Sequence, residues 1–115
     1  MQIDTGVGQP STSVVGGTFT APYTAITSGR KVVGTAGTAV ALAASTTIKA
    51  VIITALQSNT DIVAVGGSTV LAAAATMNGT PLFLGQSMVV YIDDLSKVFV
   101  DSRVNDEGVA FNYFT

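Results

Sequence analysis

Thr47-Ile48-Lys49-Ala50-Val51-Ile52-Ile53-Thr54-Ala55-Leu56 is the longest strand candidate in the chain. It is rich in β-branched residues, which fit a pleated strand better than a helix. Alternation puts Val51, Ile53 and Ala55 on one face and Ile48, Ala50, Ile52 and Leu56 on the other. Both faces are apolar, which predicts a central strand or one covered by a partner.

The same pattern continues on either side. Upstream, Lys31-Val32-Val33 is short, Gly34 and Gly37 interrupt, and Thr38 to Leu42 alternates with Val40 and Leu42 on one face. Downstream, Ser58-Asn59-Thr60 reads as a turn, Asp61 to Val65 as a strand, and Gly66-Gly67 as its end. Thr69 to Leu71 reads as a brief strand. Ala72 to Ala75 is too short to nucleate a helix and reads as a loop with one turn. Asn78-Gly79 is a strong turn signal, followed by Pro81, and Leu82-Phe83-Leu84 leads to Gly85-Gln86. Ser87 to Ile92 then points Met88, Val90 and Ile92 inward and Tyr91 outward. Lys97 to Asp101 puts Val98 and Val100 opposite Phe99, and Val109 to Phe114 aligns Val109, Phe111 and Tyr113. Turns at Asp93 to Ser96 and Asn105 to Gly108 separate these last strands. Eight short strands without a credible long helix predict an all-β fold. It is expected to be an antiparallel β-sandwich of jelly-roll-like type over residues 30–115.

Residues 1–29 differ. They carry one charge, Asp4, and many Gly, Ser, Thr and Pro residues. Their few large apolar side chains lie far apart, so the segment cannot build its own core. It is read as an extended N-terminal arm, ordered by lying on something else.

Composition bounds the function. The 115 residues contain no histidine, cysteine or tryptophan, and only 10% are charged, with a net charge of −2. Most catalytic and metal-binding constellations draw on His or Cys, so a non-enzymatic role is expected, without metal or other cofactor. Low charge with 48% hydrophobic residues implies that neighbours cover part of the surface. No basic stripe, unbroken apolar span or secretory signal is visible, so neither nucleic acid nor membrane is an expected partner. A small-molecule substrate is not expected either.

Seven of the twelve charges lie between Asp93 and Glu107: Asp93, Asp94, Lys97, Asp101, Arg103, Asp106 and Glu107. Their spacing matches no Ca²⁺ loop, and adjacent carboxylates on a turn point apart, which argues against acid–base work. They read as solvated turns with local capping. Tyr91, Phe99, Tyr113 and Phe114 could stack on sugars, but their alternation favours core or inter-subunit packing.

Several segments resemble small virion proteins of tailed phages. They are Thr38 to Ala43 followed by Ile48 to Ile53, Asp61-Ile62-Val63-Ala64-Val65-Gly66-Gly67-Ser68, Gly79-Thr80-Pro81-Leu82 with Gly85-Gln86-Ser87, Ile92 to Val100 with its Asp-Asp-Leu-Ser-Lys turn, Val104-Asn105, and Glu107-Gly108-Val109. The resemblance covers roughly residues 35–114 and leaves out the arm. It implies a head decoration (cement) protein, a homodimer or homotrimer bound between major capsid subunits on the virion head and made in the host cytoplasm. Val14, Val15, Phe19, Tyr23 and Ile26 would then anchor the arm to a neighbouring subunit. A tail, baseplate or fibre-associated adaptor and a host-glycan-binding module are the alternatives.

Overall fold

The computed structural model describes residues 22–115. Eight strands form two antiparallel four-stranded sheets. They are β1 (Ile26–Val33), β2 (Val40–Ala41), β3 (Ala50–Ala55), β4 (Val63–Gly66), β5 (Thr80–Leu82), β6 (Ser87–Val90), β7 (Phe99–Ser102) and β8 (Glu107–Phe114). One sheet has the order β1-β8-β3-β6 and the other β2-β7-β4-β5. Strands 1 and 8, 2 and 7, 3 and 6, and 4 and 5 pair as in one long folded hairpin. Pairing of β8 with β3 and of β7 with β4 wraps that hairpin into two layers. This is the jelly roll.

The core lies between the sheets. Val33, Val51, Ile53, Ala55, Val109 and Phe111 from one sheet meet Val63, Val65, Leu82 and Val100 from the other, with Leu42, Ile48, Leu95 and Val98 sealing the ends. Ile53 is completely buried at the centre. β6 turns Met88 and Val90 inward as its alternation predicts, and the sets that alternation groups on one face of β3 and of β8 are the ones that enter the core.

Four local differences from the expected elements have physical reasons. β1 begins at Ile26, so the folded sheet takes in residues 26–29, which the sequence assigns to the arm. Pairing along all eight residues, from Ile26 with Phe114 to Val33 with Glu107, overrides the weak strand propensity of Thr27-Ser28-Gly29. Gly29 lies opposite Phe111, whose ring covers it; a Cβ there would collide with that ring. Lys49 is a bend, so alternation changes phase there and Ile48 joins the core beside Val51 instead of facing away. Leu82 ends β5, which leaves Phe83 and Leu84 in the turn to β6. Thr69–Leu71 makes a single bridge, Leu71 with Asn78, rather than a strand.

The two outer faces are unlike. The long β4–β5 connection, with a 3-10 turn at Ala74–Thr76, covers the outside of the second sheet. There Ala64, Val70 and Ala72 form a second buried cluster with Phe99, Met77 and Ala39. The outer face of the first sheet has no such cover among the described residues.

Candidate functional site

The acidic side chains of residues 93–107 divide into buried ones and exposed or half-buried ones. Asp101 is fully buried on the outer side of β7. Its two oxygens accept from the backbone N–H of Gly37 at 2.9 Å and of Ala72 at 2.8 Å. The Arg103 Nε donates to the carbonyl of the same Ala72 at 2.7 Å, while its Nη1 lies 3.4 Å from Asp61. Ala72 is thus held at both backbone groups, which clamps the β4–β5 connection onto the sheet.

Glu107, also buried, accepts from the Thr60 N–H and hydroxyl at 2.6 and 2.7 Å and from the Asp61 N–H at 3.2 Å. Burial pushes its pKa up, but the hydrogen bonds from Thr60 and Asp61 outweigh it and hold the carboxyl below its ordinary value. Asn59 completes this lock, donating to the Gly108 carbonyl and accepting from the Gly108 N–H.

Asp94 caps the short 3-10 helix Leu95–Lys97. It accepts from the Ser45 hydroxyl at 2.7 Å, from Ser96 N–H and hydroxyl at 2.9 Å, and from Thr46 N–H at 3.0 Å. These bonds, Ser45 first, hold its carboxyl far below the carboxylate range. Asp93 pairs with Lys97 at 2.9 Å, which lowers its pKa and raises that of the lysine. The reading of the 93–107 region as capped, solvated turns therefore fits Asp93 and Asp94 and misses Asp101 and Glu107. These two are internal fasteners between loops. Among the described residues no group of three or more His, Cys, Asp or Glu side chains is placed to hold a metal ion. No helix there is long and apolar enough to cross a membrane.

The unusual surface is apolar. Phe83, Leu84, Val89 and Tyr91 are 60, 53, 48 and 77% exposed, and all lie on β6 or the turns flanking it. Thr80 to Ile92 contains no charged residue. Beside this strip the sandwich gapes. Met88, Val90 and Ile92 from the inner face of β6 look across a cleft of about 320 Å³ at Val65, Gly66 and Val98. Of this surface, only Tyr91 was marked from sequence, as an exposed aromatic.

The expected arm anchors divide. Val14, Val15 and Phe19 lie outside the described residues. Tyr23 packs its ring 5.4 Å from that of Phe114, and Ile26 pairs with the same Phe114 across β1 and β8. Thr24 N–H donates to the Thr115 carbonyl, and Lys49 Nζ to the Pro22 carbonyl. Residues 22–26 are therefore tied to the chain's own sandwich, yet Tyr23 and Ile26 remain 40 and 60% exposed. Of the four aromatics considered for stacking, Tyr91 is exposed, while Phe99, Tyr113 and Phe114 are half-buried.

No protein-family model, curated protein or solved structure matches this chain.

Proposed function

We propose that this chain is a non-enzymatic structural protein of a phage virion, and within that class a capsid decoration protein. The observation that carries the reading is how polar and apolar side chains are distributed. The buried carboxylates Asp101 and Glu107 are occupied by backbone N–H groups, whereas large apolar side chains stand along an uncharged edge. Such a molecule is suited to being covered by neighbours rather than to turning over a substrate. The resemblance of residues 35–114 to small virion proteins supplies the setting. A protein that binds only the assembled lattice stabilises it by mass action, by about 2.7 kcal/mol per site at a hundredfold excess over Kd. The major capsid protein is the expected partner, with the N-terminal segment reaching across it.

The test is add-back. Purified full-length protein is mixed with heads that lack it, and bound protein and the temperature of head disruption are measured. Saturable binding with a raised disruption temperature supports decoration, and no binding contradicts it. The truncation that asks about the arm must stop before Pro22, because removing residues 1–29 would delete half of β1. Loss of residues 1–21 is expected to abolish head binding with an unchanged melting temperature. Unchanged binding would remove the arm from the reading.

A further inference from the structure

Each sheet has two edge strands, and the four edges are not alike. β1 carries adjacent basic residues, Arg30 and Lys31. β2 is two residues long, and β5 is three residues long with Pro81, which has no N–H to offer. Charge, shortness and proline are the usual means of blunting an edge against other strands. β6 uses none of them. Ser87-Met88-Val89-Val90, continuing into Tyr91-Ile92, has neither charge nor proline. Among the described residues β6 pairs with β3 alone. Alternate residues of such a strand turn N–H and C=O away from the sheet, where they form a template for another strand.

We propose that β6 is a homodimer edge: two copies pair β6 antiparallel across a two-fold axis and join their four-stranded sheets into one of eight strands. A two-fold interface must be compatible with itself, since each side chain meets its own copy or a near neighbour. β1 fails this requirement, because Arg30 and Lys31 would face like charges, and β6 meets it. The positions of the apolar groups agree. Pairing centred on Val89 sets Tyr91 of each copy opposite Ser87 of the other, beside the β5–β6 turn where Phe83 and Leu84 stand exposed. The extent is sufficient as well. Exposed to the extent given above, the four side chains offer on the order of 500 Å² a copy, or about 1,000 Å² a pair, near the lower limit of specific interfaces. The inference is independent of the virion reading, because it concerns the free protein in solution.

Sedimentation equilibrium of the full-length chain from about 1 μM to 1 mM is the test. A monomer–dimer equilibrium is expected. Val89→Lys, which sets two ammonium groups near each other at the axis, should weaken it at least about 100-fold. Tyr91→Lys, at the most exposed of these positions, should do the same and decides the matter if Val89→Lys lowers the melting temperature. Ser28→Lys on the β1 edge should leave the dimer unchanged. Since the chain has no cysteine, Val89→Cys gives a clean second readout, a disulfide-linked dimer under oxidation. A protein monomeric throughout, or a dimer unaffected by both lysine substitutions, overturns the proposal. So does a dimer that survives Val89→Lys and Tyr91→Lys but disappears when residues 1–21 are removed, which would assign the contact to the N-terminal segment.

Discussion

Replacing Asp101 by Asn should destabilise the sandwich far more than its near-identical shape suggests. The carboxylate accepts two hydrogen bonds in a site with no solvent exposure, one from each of two loops. Hydrogen bonds to a charged acceptor contribute about 1.5–3 kcal/mol each. An amide can keep one of them as a neutral bond worth about 1 kcal/mol, but it must turn its NH₂ toward the second backbone N–H. That donor is then left buried without an acceptor, at about 1–3 kcal/mol. The net loss is at least about 3 kcal/mol, which for a chain of this length lowers Tm by at least about 12 °C. Urea unfolding at constant m-value gives the free energy. Amide hydrogen exchange at Gly37 and Ala72 locates it, since one of those loop protons should lose protection ahead of the amides of β7. Asp106→Asn, on an exposed turn, is the control and should stay within about 0.5 kcal/mol of wild type. A loss below about 0.5 kcal/mol for Asp101→Asn, or unchanged exchange at both amides, would refute the view that Asp101 is an internal fastener.

Acid should weaken the fold through carboxylates whose pKa is lowered by folding. Asp94 and Glu107 have folded values below their unfolded ones, so their stabilisation is complete above about pH 5 and is lost as pH falls through the folded values. The urea midpoint should be level from about pH 6 to 8 and fall below about pH 4, less steeply in Glu107→Gln; a midpoint that holds level down to about pH 3 contradicts this. Lys97 runs the other way, its raised pKa giving a contribution lost only as pH climbs through the folded value. Gly29→Ala should cost about 1–3 kcal/mol, since the Phe111 ring is buried and has nowhere to move; a neutral result in thermal unfolding would show that the ring can yield.

The sequence carried the local half of this fold. Alternation groups Val51, Ile53 and Ala55, and Val109, Phe111 and Tyr113, on shared faces without saying which face of the apolar β3 turns inward, and the glycine and asparagine turns mark most strand ends. The strand order is non-local, and nothing within a single strand reports its partner. Gly29 reads as a breaker because its cover, Phe111, lies far along the chain. Asp101 and Glu107 read as solvated charges because the backbone N–H groups that donate to them leave no trace in residue type. The apolar strip lies at the end of a charge-free run of 31 residues, Ile62 to Ile92, so absence of charge alone does not single it out. Within that run Met88 and Val90 line the cleft while Val89 and Tyr91 face solvent, a division that becomes informative once β6 is known to be an edge.

Decoration of a capsid would show in the number and position of copies of this chain in purified particles, counted by quantitative gel and direct imaging. Hundreds of copies in a regular array over the head are expected. A handful at one vertex or along the tail would contradict decoration in favour of an adaptor, and complete absence from particles would contradict the virion reading altogether.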